Sequence, residues 1–201
     1  PTTSPADFVI VEAPAANNKI VSTSCLIPQT WYYEGIPFAT GQPELIGTDE
    51  KYRRRGLCQK VMEVIHQLSD AHGHQMQYIT GIPWFYRQFG YEFVMELDAI
   101  RVLPAGKIEA LKEGETEQFE VRPATEDDIP VLIRLYERQD RGKMVTNPRD
   151  EILWKYALSG QSEDSEMKNH VIMILDADKE ICGYYISASR LYGETLQVND
   201  L

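Results

Sequence analysis

No apolar run in this sequence approaches the roughly 20 residues that span a bilayer, so a membrane protein is not expected. The opening Pro1-Thr2-Thr3-Ser4-Pro5 is neither basic nor followed by an apolar targeting core, which leaves no visible secretory leader. An initiator Met is lacking too, as in a fragment or a trimmed chain. Cysteine is scarce. Cys25, Cys58 and Cys182 are odd in number and far apart, which argues against a disulfide framework and fits reduced thiols in a cytoplasmic protein. Positive charge is also in deficit: 20 Lys and Arg stand against 31 Asp and Glu, a formal net charge of −11. Phosphate binding needs a basic surface, so nucleic acid is not the expected partner. An acidic surface serves solubility, and it can also attract a cationic amine.

What is present is ordinary globular material, 43% hydrophobic and 25% charged over 201 residues, enough for one generous domain or two small ones. Phe8 to Ala13 and Lys19 to Ile27 are β-rich runs around Pro14 and Asn17-Asn18, the pattern of a hairpin. Trp31 to Pro37 looks like a further strand entering a turn, and Glu44 to Gly47 a short one before a charged loop. From Leu57 the period changes. Leu57, Val61, Val64, Ile65 and Leu68 share one face of a helix, and Gly73 is placed to stop it. Gln75 to Thr80 reads as a strand, Pro83 to Phe89 as a short helix opened by proline, and Phe93 to Leu97 as another strand. The order predicts an α/β (α+β) fold, a mixed and mostly antiparallel sheet flanked by helices.

Residues 104–118 change character and read as a linker. Beyond it, Phe119 to Pro123 is a short strand, and Thr125-Glu126-Asp127-Asp128 supplies capping residues for a helix carrying Ile129, Leu132, Ile133 and Tyr136. A second helix is expected over Asp150 to Leu158, then a hairpin of His170 to Leu175 and Ile181 to Ala188 around Asp176 to Lys179.

Arg53-Arg54-Arg55-Gly56-Leu57-Cys58 lies between a strand and a helix. A pyrophosphate needs several converging N–H donors, and the first turn of a helix leaves its own unpaired. Glycine permits close backbone approach, and arginines add charge-assisted bonds. Such a run alone is more often a solvated face. Here it resembles the Arg/Gln-x-x-Gly-x-Gly/Ala pattern of the Gcn5-related N-acetyltransferases (GNAT), with Arg53 first, Gly56 in the glycine slot and Cys58 replacing the last small residue. Leu45-Ile46-Gly47 sits where that family splays a strand for the pantetheine arm. Phe85-Tyr86-Arg87-Gln88-Phe89-Gly90-Tyr91 resembles its aromatic-Tyr-x-x-Phe-Gly-Phe/Tyr signature.

The resemblance implies that 1–103 is the acetyl-CoA-binding half of a GNAT-like domain. It further implies that 119–201 is the N-terminal part of a second one, without a cofactor site, since no second Arg-x-x-Gly-x-Gly pattern follows before Leu201. Acetyl-CoA would be held by Leu45, Ile46, Gly47, Arg53, Arg54, Arg55, Gly56, Leu57, Cys58, Gly81 and Ile82. The motifs look most like the enhanced-intracellular-survival type, whose tandem domains often assemble into homo-oligomers and whose base is a C-terminal carboxylate. The implied activity is acetyl transfer to a primary amine of a small molecule or a lysine, by direct attack in a ternary complex. Tyr86 would protonate the leaving thiolate, and a backbone N–H of the Leu45 to Gly47 strand would polarise the carbonyl. Glu34 and Glu44 are the nearest carboxylates for a base, although plain surface positions suit both. A non-catalytic acyl-CoA-binding or assembly module is the alternative. His66, His72 and His74 lack companions at ligand spacing, so no metal is expected. Trp31, Trp84 and Trp154 read as core or pocket-wall residues.

Overall fold

The computed structural model describes residues 3–82, 84–95, 101–107, 111–165, 168–188 and 195–200. The chain divides into two compact units, Pro1–Leu97 with Lys143–Asn147, and Asp98–Gly142 with Pro148–Leu201.

The first unit is built on one long hairpin. Strand β1 (Phe8–Ala13) turns through Asn17 and Asn18, both left-handed, into β2 (Lys19–Tyr33). The two strands expected at Lys19 to Ile27 and Trp31 to Pro37 are therefore one, unbroken by Pro28. Glu34 and Gly35, with φ of 46° and 81°, make the tight turn into β3 (Ile36–Thr48). Two consecutive positive φ values match the twist of paired strands, and glycine supplies one of them at no steric cost. The short strand expected at Glu44 to Gly47 is the end of this long one.

Helix α1 (Leu57–Ala71) follows, and β4 (Met76–Gln77) then pairs parallel to β3. Val61 and Ile65 pack on Leu26 of β2, with Val9, Val11 and Leu68 around them. Val64, expected on the inner face, is exposed; Met62 and Ser69 are buried instead. Gly73, at φ 70°, ends the helix as anticipated. The sheet order is β1-β2-β3-β4, and a strand from far along the sequence, β7 (Val145–Thr146), adds to β2 at Tyr32 and Tyr33. The strand expected from Gln75 to Thr80 is thus two residues long. Phe93 to Met95 form no strand, and Leu97 lies outside the described residues.

The second unit carries a sheet in the order β5-β10-β9-β8-β6. Its strands are β5 (Arg101–Pro104), β6 (Glu120–Pro123), β8 (Asn169–Leu175), β9 (Ile181–Ala188) and β10 (Thr195–Asp200), with α2 (Ile129–Asp140) and α3 (Glu151–Lys155) between β6 and β8. Leu132, Trp154 and Met173 are fully buried in its core. The expected strand, helices and hairpin appear; β5, β7 and β10 were not anticipated.

The entry to α2 is tied by Asp128. Its carboxylate takes two 2.7 Å bonds from Arg122, one of 2.8 Å from the Thr125 N–H and one of 3.0 Å from the Thr125 hydroxyl. The Arg122 bonds, helped by Thr125 and opposed by burial, hold this carboxyl well below the usual carboxylate range. A depressed folded value means stability that is present above the unfolded value of about 3.9 and lost as pH falls through the folded one. Asp128→Asn should therefore cost roughly 2 kcal/mol at pH 7, with the deficit shrinking below about pH 4. Denaturant melts at several pH values check this, and a deficit independent of pH would refute it.

Candidate active site

The end of β3 is irregular in two ways that open it. Cys25 pairs with Glu44 and Thr23 with Gly47, so Ser24 alone faces both Leu45 and Ile46. This two-against-one bulge puts Leu45 in the left-handed region, at φ 54°. Serine hydroxyls of β2 fix the carbonyls on either side: Ser24 donates to Glu44 at 3.1 Å and Ser22 to Gly47 at 2.8 Å.

On its other edge β3 leaves β4. Pairing runs through Thr40–Met76 and Gly41–Gln77, and the Tyr78 N–H donates to the Gly41 carbonyl at 3.1 Å. In a parallel ladder the next donor would be the N–H of residue 43, and Pro43 has none. The strands part there. Leu45 on one side and Ile82 on the other are 66% and 68% exposed, apolar residues left uncovered beyond that parting.

The loop into α1 turns through Arg54 (φ 62°) and Gly56 (φ 74°). Gly56 caps α1 without any side-chain bond to its first turn, so the N–H groups there are not claimed by a capping side chain. Arg53 folds back, donating to the Thr48 carbonyl at 3.3 Å, and Arg55 donates to the Lys51 carbonyl at 3.1 Å with its guanidinium over the Tyr52 ring. Arg54 makes no ion pair among the described residues. Leu57 opens the helix, and Cys58 follows, half-buried, its thiol pushed up by burial. A neutral thiol is a poor nucleophile.

Tyr86 stands in a tight turn, Phe85–Phe89, opened by Trp84 at φ 72°. The expected short helix is thus one 3-10 turn, and Pro83 lies outside the described residues. The Tyr86 ring lies against Gly81, where a Cβ would fall 2.3 Å from its Cε2. Burial, then the nearby Cys58 thiol, then Glu44, raise its phenol above the ordinary value of 10.0. The Tyr86 ring is packed on Gly81, edge-on to Phe85 and Tyr91.

Glu44 is half-buried beside the bulge and receives 2.7 Å from Gln42 Nε2. Glu34 is exposed at the hairpin turn before β3, and Glu44 lies eight residues past Ile36, where β3 begins, roughly 26 Å along the strand. Glu34 is not part of this site. Sequence reasoning also missed Gln29, Gln42 and Tyr78, which bond one another on the same sheet face; the signal was polar residues two apart, Gln29-x-Trp31 and Gln42-x-Glu44. Trp31 joins them, its indole N–H donating to Gln29 Oε1 at 3.0 Å and its ring 4.3 Å from that of Tyr78. Trp154 is core, whereas Trp84 is 66% exposed under the Arg87 guanidinium.

Residues 1–94 match the family model of an acetyltransferase (GNAT) domain. That is 94 of the 201 residues. The likeness to solved structures reaches into both units. Saccharomyces cerevisiae N-myristoyltransferase with bound myristoyl-CoA is similar over 94% of this chain and 46% of its own, at 15% identity and a TM-score of 0.66. A GCN5-related N-acetyltransferase from Anabaena variabilis ATCC 29413 is similar over 94% and 46%, at 17% and 0.60. One from Kribbella flavida is similar over 92% and 44%, at 18% and 0.57. The chain spans less than half the length of each. At these identities the likeness establishes the fold, a mixed α/β GNAT-like one. No curated protein matches the sequence. Within the matched residues 1–94, the bulge at Leu45-Ile46, the glycine-capped helix and Tyr86 occupy β3, α1 and the turn after β4.

Proposed function

We propose that the GNAT domain is an acyl-CoA-dependent N-acyltransferase that moves an acetyl group to a primary amine of a small molecule or a lysine. One observation carries this: the bulged, parted end of β3 at Leu45 and the Gly56-capped first turn of α1 lie within the segment that matches the acetyltransferase model. The chain's own groups fit the co-substrate. The uncapped first turn of α1, with Gly56, Leu57 and Cys58, suits a pyrophosphate, and Arg54, without an ion pair among the described residues, adds positive charge. The parted strands, with Leu45, Ile46 and Gly47 on one side and Gly81 and Ile82 on the other, suit a pantetheine arm. The S. cerevisiae neighbour holds an acyl-CoA, which supports the same co-substrate class.

Acyl-CoA supplies the activated thioester. The amine nitrogen forms a bond to the carbonyl carbon as the carbon–sulfur bond breaks. Glu44 takes the proton that the ammonium must lose, Tyr86 gives its proton to the departing sulfur, and the second proton the nitrogen sheds on becoming an amide restores the Tyr86 phenol. A backbone N–H of the bulge polarises the carbonyl. The motif resemblance further supports a tandem plan, with a second domain over 119–201 that holds no cofactor, in a cytoplasmic homo-oligomer.

The test is incubation of the full chain with acetyl-CoA and a panel of primary amines, following free thiol and product mass. Amine-dependent thiol release with matching acetylated product is expected. Tight acetyl-CoA binding without it would replace the enzyme reading by that of a binding module.

A further inference from the structure

Between Trp31 and Glu44 runs a chain of side-chain hydrogen bonds with only one possible direction. Trp31 Nε1 donates to Gln29 Oε1 at 3.0 Å, and Asn147 Nδ2 donates to the same oxygen at 2.9 Å. Gln29 Nε2 donates to Gln42 Oε1 at 2.9 Å, and the Tyr78 hydroxyl donates there too, at 2.5 Å. Gln42 Nε2 then donates to Glu44 Oε1 at 2.7 Å.

The ends dictate the order. An indole N–H can only donate, and an ionised carboxylate can only accept. Gln29 must therefore turn its oxygen toward Trp31, which leaves its nitrogen for Gln42. Gln42 must in turn receive through oxygen, which leaves its nitrogen for Glu44. Each amide oxygen takes two donors, so neither amide can rotate without losing bonds at both ends. Tyr78 strengthens the lock: its ring packs 4.3 Å from that of Trp31, and burial pushes its phenol up to about 12, so it remains a donor. Among the described residues Glu44 Oε2 has no hydrogen-bond partner.

Asn147 reaches this chain from a distance of 118 positions in the sequence. It directly follows β7, which is added to β2, and the Glu34 N–H donates to the Met144 carbonyl at 2.8 Å to seat that segment.

We propose that Gln42, Gln29 and Asn147 are positioning residues for Glu44: a one-way amide chain, closed by the strand β7, that fixes the carboxylate and leaves one oxygen for a protonated primary amine. This rests on the acyltransferase reading. The chain holds the rotamer of Glu44 so that one oxygen is committed to Gln42 and the other receives the substrate's N–H and then its proton. Removing a link frees the carboxylate to rotate, which lowers turnover without touching the groups that hold acetyl-CoA.

Two measurements test it on the full chain. The first needs no activity: the Trp31 indole ¹⁵N–¹H resonance, assigned with Trp31→Phe, should shift on Glu44→Gln, and the shift should vanish when Gln42→Met is already present. The second is a kinetic cycle with acetyl-CoA and the best amine found. Gln42→Met should lower kcat about tenfold or more with KM for acetyl-CoA unchanged, and should cost nothing further in the Glu44→Gln background, because coupled residues are not additive. Gln29→Met, cutting the chain one link earlier, should behave in the same way and serves if Gln42→Met folds poorly. An unmoved indole resonance, or additive losses in the cycle, overturns the proposal. A protein that acylates no amine overturns the catalytic assignment, and the resonance then separates that failure from a failure of the chain itself.

Discussion

Tyr86→Phe should lower kcat by roughly 10²–10⁴-fold, the usual cost of a lost general acid, while acetyl-CoA affinity stays nearly intact. The substitution keeps the ring that packs on Gly81 and faces Phe85 and Tyr91 edge-on, at centroid distances of 5.0 Å and 6.0 Å. It removes only the hydroxyl. The α1 first turn and the bulge, proposed to hold the co-substrate, are untouched. A companion variant separates chemistry from packing. Gly81→Ala keeps the phenol but forces its ring aside, since the new Cβ would sit 2.3 Å from Cε2. Displacement of that size by about 1 Å can itself cost on the order of 10²-fold. Single-turnover kinetics on both variants, with thermal melts on the same preparations, check this. Full turnover in Tyr86→Phe would return the residue to a packing role.

Gly56→Asp should weaken acetyl-CoA binding by up to about a thousandfold. Like unit charges ~4 Å apart near a protein surface repel by ~4 kcal/mol, and every ~1.4 kcal/mol is tenfold in Kd. The space around Gly56 is open, so the side chain meets no clash, and the effect is not one of unfolding. Backbone strain does contribute, because Gly56 sits at φ 74°. Gly56→Ala isolates it, at about 1–2 kcal/mol. Calorimetric titration of the two variants should therefore give graded losses, alanine small and aspartate large. Equal affinities for all three proteins would remove the pyrophosphate from this loop.

The parts of the site that depend on local chemistry were readable in the sequence. Gly56 before an amphipathic run marks a helix N-terminus, and the helix starts there. The aromatic run around Tyr86 does form a compact turn. Long-range geometry was less readable. Pro28 and the Glu34-Gly35 turn suggested separate short strands, whereas pairing with β3 along the length of β2 carries the strand through the proline. Gln75 to Thr80 has strand composition, yet only Met76 and Gln77 pair, because Pro43 on the neighbouring strand cannot extend the ladder. Val64 obeys the helical period but lies at the margin of the buried face. Gln29 and Gln42 carry only the faint signal of polar residues two apart and Asn147 none; their proposed role arises from register across strands. Glu44 could be placed on the strand of the site from the sequence, and the course of β3 is what sets Glu34 far from it.

The strand at Val145–Thr146 has a consequence for how this protein is made. The first sheet cannot be completed from the first 97 residues, because its fifth strand is encoded near residue 145. A ribosome adding ~5–20 residues per second reaches that point several seconds after the β2–β3 hairpin has emerged. During that interval the end of β2 near Tyr32 and Tyr33 offers unpaired backbone to any other strand in reach. Nascent chains stalled between residues 97 and 145 should accordingly recruit holding chaperones, and release them once Asn147 is exposed. Assembly of the first unit is thus timed by the synthesis of the second.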